Sequence, residues 1–284
     1  MRRAAGLLVF TDLDACLLDE ETYRYDEARP ALEALRRASV PLVLCTSKTR
    51  AEVEPLHREL GLHEPFVFEN GGGLCFPPGA RGWRAPVVRR GGGAFVVPLG
   101  TPHPALVAAI SAIADETGLA LRGFSSLTAE EVAAATGLSP EAARRAALRE
   151  FDEPFLIEDS HGPDAEGAVA EAARRRGLRV TRGGRFHHLT GPVDKGGAVR
   201  QLLALHEAPV VSIGLGDSAN DLTLLQAVDR PVIVPRPDGS ADETLAAALP
   251  GAARAPRPGP RGWSEAVLQL LEESGVSAEG GRAR

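Results

Sequence analysis

The stretch LLVFTDLDAC, Leu7 to Cys16, decides the architecture: an apolar run passes through Thr11 straight into two carboxylates one residue apart, Asp12 and Asp14. A short run without polar alternation reads as a strand buried on both faces, as in a parallel sheet covered by helices. Ligands of open parallel sheets lie at the carboxyl ends of the strands, so the two acids mark a candidate cleft.

Working outward, the same pattern repeats. A helix from about Arg29 to Ala38 precedes the apolar strand Val40–Cys45, then a helix over Arg50–Leu60 and a short strand Phe66–Phe68 that ends in Glu69-Asn70-Gly71-Gly72-Gly73. The rhythm changes after the Gly- and Pro-rich segment that begins at Gly82. A strand over Ala94–Pro98, a helix over Pro104–Thr117, a strand near Leu119–Phe124 and helices capped by Thr128 and Ser139 follow. Strands at Phe155–Glu158, Leu178–Thr181 and Arg185–Leu189 surround a helix over Asp164–Arg176. From Asp194 the first rhythm returns, with strands Val210–Leu215 and Pro231–Val234 and a last helix near Ser264–Glu273. The fold class expected is α/β: a Rossmann-like parallel-sheet core made of residues 1–81 and 191–284, with an α+β domain inserted at 82–190.

Composition narrows the partners. A chain of 284 residues with 44% apolar residues can bury a sizeable core. Its net charge of −6 offers no basic surface for a nucleic-acid backbone, and no apolar run approaches the roughly 20 residues of a membrane span. Met1 to Phe10 briefly imitates a signal peptide, but Asp12 and Asp14 end the apolar run too soon and no small-residue cleavage site follows. Cys16, Cys45 and Cys75 fit no CxxC pattern and read as reduced thiols, which places the chain in the cytoplasm. Few Asn, Gln and Met residues suit a heat-adapted host, although a GC-rich genome favours the same composition. Only Lys48 and Lys195 are lysines and only Asn70 and Asn220 are asparagines, and all four fall within or beside the candidate loops.

Those loops agree in chemistry. Strand ends carry Asp12 and Asp14, then Thr46-Ser47-Lys48, a helix start carries Asp194-Lys195, and a later strand ends in Gly216-Asp217-Ser218-Ala219-Asn220-Asp221. Clustered carboxylates repel unless a cation joins them, and a few hard oxygen ligands suit Mg²⁺, which keeps waters and a substrate phosphate. Asp12, Asp14 and Asp217 are the ligands expected, with Asp221 holding a metal-bound water. The third acid and the glycine of an EF-hand loop are missing. Lysine steadies a carboxylate or phosphate as a point charge, and the Thr46 hydroxyl can donate to a phosphoryl oxygen.

With DLDAC, LVLCTSKT, VDKGGAV and GLGDSANDLTLL in this order, the chain resembles the haloacid dehalogenase-like hydrolases over nearly all of its length. The insertion resembles their larger, C2-type cap. The resemblance implies that Asp12 is a nucleophile forming an aspartyl-phosphate, that Asp14 is the general acid and base, and that Thr46 and Lys195 assist. It also implies metal contacts from Asp12 and Asp217 and from the backbone carbonyl of Asp14. Most members have Gly-Thr where this chain has Ala15-Cys16.

The wording TYRYDEARPAL, TSKTRAEVE, ENGG and GRFHHLTGPVDKGGAV is similar to a branch of the superfamily that hydrolyses mannosyl-3-phosphoglycerate. That resemblance implies a small phosphorylated glycoside as substrate and a last step in making a compatible solute, with the glucosyl analogue as the alternative. Ser47, Lys48, Asn70 and Asn220 would line the cleft floor. Arg185, His187 and His188 are the cap's candidates, because arginine grips a carboxylate with two parallel hydrogen bonds. Strand alternation puts Arg185 and His187 on one face and His188 on the other. A phosphosugar mutase would need a bisphosphate activator. A receiver module would lack the insertion, and a glycosyltransferase would leave Lys195 and the Asp217/Asp221 pair without a role.

Overall fold

The computed structural model describes residues 6–84, 93–158, 163–183 and 186–275. The first strand, β1 (Gly6–Thr11), lies inside the parallel sheet that the sequence predicts. The chain continues through α1 (Arg29–Arg37), β2 (Leu42–Leu44), α2 (Arg50–Glu59), β3 (Phe66–Phe68), β4 (Gly73–Phe76) and β5 (Phe95–Pro98). Next come α3 (His103–Thr117), β6 (Leu121–Gly123), α4 (Ala129–Thr136), α5 (Pro140–Ala146), β7 (Asp152–Ile157), α6 (Pro163–Arg175), β8 (Arg179–Gly183) and β9 (Phe186–Thr190). The last part holds α7 (Lys195–Leu205), β10 (Val210–Gly216), α8 (Leu222–Gln226), β11 (Arg230–Ile233), α9 (Glu243–Ala248), β12 (Ala253–Arg254) and α10 (Gly259–Glu273).

The parallel sheet has the order β12-β11-β10-β1-β2, so β1 is flanked by the strand that precedes Asp217 and the strand that precedes Thr46. Alternation along β1 feeds both faces: Leu7 and Val9 join the layer of α1 and α10, where Trp263 is fully buried. Leu8 and Phe10 pack against Ala198, Val199 and Leu202 of α7. Asp12 continues the even-numbered face, which is the side from which Lys195 arrives at the start of α7.

The sequence places the strand Ala94–Pro98 in the insertion. The structure instead pairs β5 antiparallel with β4, which itself pairs with β3. A parallel bridge, Cys45 to Val67, attaches this second sheet to the first. The reason is register over distance: apolar residues identify a strand but not its partner. The inserted sheet proper is antiparallel, in the order β6-β7-β9-β8, with α3 and α6 packed on one face through Leu106, Ile110, Val169 and Phe155. Thr128 and Ser139 cap α4 and α5 as predicted, each accepting a backbone N–H three residues on. The sequence pattern alone does not announce β4, α9 or β12.

Candidate active site

Four segments converge at the carboxyl edge of the parallel sheet. Asp12 is 7% exposed, and one of its oxygens, Oδ1, accepts from Lys195 Nζ at 2.7 Å. The same ammonium donates to Asp221 Oδ1 at 2.7 Å, so one buried lysine ties β1 to the turn after β10. Asp221 Oδ2 accepts from the backbone N–H groups of Asp217 and Ser218, which fixes the turn. Gly216 is required just before it, because a Cβ there would lie 2.4 Å from Cβ of Asp221. Trp263 Nε1 donates to Thr11 Oγ1, which donates on to the carbonyl of Asp12, so α10 braces the strand end.

Asp12, Asp217 and Asp221 bring carboxylate oxygens within 4.8 Å of one another, an arrangement that could hold a metal ion. Burial, then the charge of Asp221, pushes the Asp12 carboxyl up to about 7. Burial, then the charge of Asp12, pushes Asp217 up to about 8. Burial alone would favour a neutral Lys195, but the carboxylates of Asp12 and Asp221 outweigh it and raise its pKa. A pair of acids so reluctant to ionise is the donor set that a hard divalent cation relieves. Asp14 lies outside this cluster. Its side chain is paired with Lys48, whose Nζ stands 2.8 Å from Asp14 Oδ1 and 4.8 Å above the Tyr23 ring.

Ala15 has φ +53°, in the left-handed region where glycine is at ease, and glycine is what most members carry there. Cys16 turns inward, fully buried, with its Sγ 3.7 Å from Thr11 Oγ1. The substitution pair is therefore accommodated by local strain at residue 15 and by core packing at residue 16.

Thr46 is fully buried and its Oγ1 accepts from the Lys48 N–H at 3.1 Å. Asn220 Nδ2 donates to Asn70 Oδ1 at 3.0 Å, so the two asparagines meet at the mouth of the site. Asn70 and Ser47 line, together with Lys195, Asn220 and His188, a cleft of about 720 Å³. The loop bearing Asn70 is tightly held: Gly71 has φ +92°, and a Cβ there would lie 2.2 Å from the carbonyl oxygen of Asp194. Gly71–Gly73 thus serve close packing against protein.

His188 and His187 point opposite ways. His188 Nδ1 is 2.8 Å from Asp152 Oδ2 and its ring borders the cleft. His187 packs on Phe155, ring centroids 5.4 Å apart, on the face covered by α3 and α6, so its proposed substrate contact has no support in this arrangement. Arg185 lies outside the described residues.

Three residues went unnoticed in the sequence. Glu69 is fully buried and its carboxylate accepts from the N–H groups of Glu150 and Phe151, linking the core to the insertion; burial pushes its carboxyl up to about 7. Arg149 donates to the carbonyl of Ser47 and to Asp152. Burial alone would raise the Asp152 pKa, but His188 and Arg149 outweigh it and hold the carboxyl below its usual range. The signal was acid inside apolar strands, in FVFENGG and REFDEPF, since buried carboxylates occur only with partners.

A family model described as haloacid dehalogenase-like hydrolase matches residues 9–75. A glucosyl-3-phosphoglycerate/mannosyl-3-phosphoglycerate phosphatase of Methanococcoides burtonii is 41% identical over 93% of this chain and 97% of its own. A protein of the same name from Persephonella marina is 37% identical over 94% and 98%. A solved phosphatase of the haloalkanoate superfamily from Bacteroides thetaiotaomicron shares the fold, with a TM-score of 0.66 at 17% identity, covering 98% of each chain. With strand ends, insertion and relatives in agreement, the chain belongs to the haloacid dehalogenase-like hydrolases, in their mannosyl-3-phosphoglycerate phosphatase family.

Proposed function

We propose that this enzyme hydrolyses mannosyl- and glucosyl-3-phosphoglycerate to the glycosylglycerate and phosphate, in the cytoplasm, as the last step in making a compatible solute. The observation that carries the reading is the division of labour between two aspartates: Asp12 held by Lys195 inside the acidic cluster, and Asp14 outside it beside Lys48. The names of the two relatives, which cover both sugars, support the substrate class.

In this mechanism Asp12 Oδ2, the oxygen that Lys195 leaves free, attacks phosphorus and forms an aspartyl-phosphate as the bridging P–O bond breaks. Asp14 gives the departing oxygen its proton, then takes one from the water that releases phosphate. The Thr46 hydroxyl accepts from the Lys48 amide, so its own hydrogen is free for a phosphoryl oxygen. Lys195 keeps Asp12 oriented and balances its charge. Asp12 and Asp217, with Asp221 and the backbone of Asp14 in support, would hold Mg²⁺, which when bound neutralises charge on the transferring phosphoryl group. The sheet β6-β7-β9-β8 and its helices act as the cap. It begins after β5 at Leu99 and ends near Gly191, where a Cβ would strike the Thr101 side chain at 2.6 Å.

The test is phosphate release with Mg²⁺ from both glycosyl-3-phosphoglycerates, 3-phosphoglycerate and mannose-6-phosphate, measured side by side. The expected result is a strong preference for the two glycosylated compounds; release only from the simple phosphates would contradict the substrate assignment.

A further inference from the structure

The general acid fixes where the leaving group must lie. Asp14 can protonate the bridging oxygen only within hydrogen-bond reach, roughly 2.6–3.2 Å, so the departing group occupies the cavity that Asp14 lines. The 720 Å³ cleft does not include Asp14 in its wall. Asp14 opens instead into an adjoining cavity of about 170 Å³ at the seam between core and cap, which shares Ser47 and His188 with the larger cleft. Lys48 lines it from the core, and Phe124, Arg149, Phe186 and His188 line it from the cap.

The charges around this seam are unevenly spent. Arg149 is committed to protein, donating to Asp152 and to the carbonyls of Ser47 and Ala146. The Glu52 carboxylate is taken up by the N–H and hydroxyl of Thr49. His188 differs: Nδ1 is occupied by Asp152, and among the described residues Nε2 has no partner. Asp152 is fully buried and, among the described residues, its Oδ1 has no hydrogen-bond partner. Lys48 Nζ is the other donor, held among the described residues by Asp14 and over the face of Tyr23.

We propose that the carboxylate of the leaving group is read in this seam pocket, by Lys48 from the core and by the imidazolium form of His188 from the cap, which gives Nδ1–H to Asp152 and Nε2–H to the ligand, with Asp152 as the positioning residue that aims the ring. Phe124 and Phe186, edge to face at 4.9 Å, give the pocket an apolar wall for the carbon skeleton. The enzyme is thereby selective for acidic leaving groups, and the larger cleft is left to the sugar. This rests on the phosphatase reading above.

The test uses Mg²⁺-loaded wild type, His188→Gln and Asp152→Asn on mannosyl-3-phosphoglycerate and on the same compound with its carboxylate reduced to a primary alcohol. Wild type should favour the acid in kcat/KM by about 10- to 150-fold, the worth of a hydrogen bond to a charged group. Both variants should lower that ratio by at least about threefold, through a higher KM for the acid, with Lys48 keeping the remainder. A ratio unchanged in His188→Gln overturns the proposal whatever happens to overall activity, and that variant decides the matter if Asp152→Asn fails to fold. Wild type that turns over both compounds equally also overturns it while leaving the phosphatase reading intact. Wild type inert on both defeats that reading first and the pocket assignment with it.

Discussion

Lys195 of the core's acid–lysine cluster and the cleft-facing side of the cap border the same cavity, yet the two regions are built on opposite terms. In the core, Asp12, Thr46, Lys195 and Asp221 are all at most 7% exposed, and each has fixed partners. On the cap, Arg179 and Arg182 border the cleft with side chains 52% and 65% exposed, paired at the surface with Asp194 and Glu166. Phosphoryl transfer needs groups already in place in a low dielectric, because reorganising them during the reaction would cost as much as they contribute. Recognition of a variable leaving group tolerates adjustable surface charges. The dyad Asp152–His188 is the exception, a core-like arrangement within the cap.

The predictions press on that contrast. The first concerns the acid: Asp14→Asn should lower kcat by about 10²- to 10⁴-fold with little change in stability, and turnover close to wild type would remove Asp14 from its role. Lys195→Met leaves Asp12 and Asp221 buried without their cation, so denaturant melts should show a loss of roughly 3–5 kcal/mol. A loss below about 1 kcal/mol, typical of a surface pair, would erase the distinction between core and cap.

A third prediction concerns pH. In the folded state burial and the charge of neighbouring carboxylates raise Asp12 to about 7 and Asp217 to about 8, whereas the unfolded chain sheds these protons near its ordinary carboxylate range of about 4. The folded state therefore binds more protons in this window, and this pair's contribution to metal-free stability falls as pH rises from about 4 to about 8. Mg²⁺ at a hundredfold excess over its Kd should add about 2.7 kcal/mol near pH 8 and much less near pH 5, read as Tm. Equal Mg²⁺ effects at both values would contradict the assignment of these acids to the metal. The smallest effect is local. Ala15→Gly should relieve a left-handed φ worth about 1–2 kcal/mol, offset in part by the greater freedom of the unfolded chain, for a net gain below about 1 kcal/mol. A fall in Tm would show that residue 15 is not strained.

The same contrast explains what was legible in the sequence. Core strands announce themselves as unbroken apolar runs, and in a parallel sheet their carboxyl ends all face one edge. Asp12, Thr46, Lys195 and Asp217 could therefore be gathered before any coordinates. In the cap, period-two alternation tells that His187 and His188 face apart, but not which of them looks toward the core. The structure turns His188 to the cleft and His187 to α3 and α6. Strand partners such as β4 and β5 are set by contacts distant in sequence. Asp152, Glu69 and Arg149 stayed hidden for the same reason, since their partners lie on other segments.

One measurement tests the central claim most directly. Mannosyl-3-phosphoglycerate carrying labelled phosphate is mixed with Mg²⁺-loaded enzyme, quenched in acid within the first turnover, and the protein is digested and mapped. The account predicts label on the peptide that contains Asp12 and none in Asp12→Asn, whose kcat should fall by on the order of 10⁶-fold, as when other covalent nucleophiles are removed. Label on a different residue, or substantial phosphate release by Asp12→Asn, would contradict it.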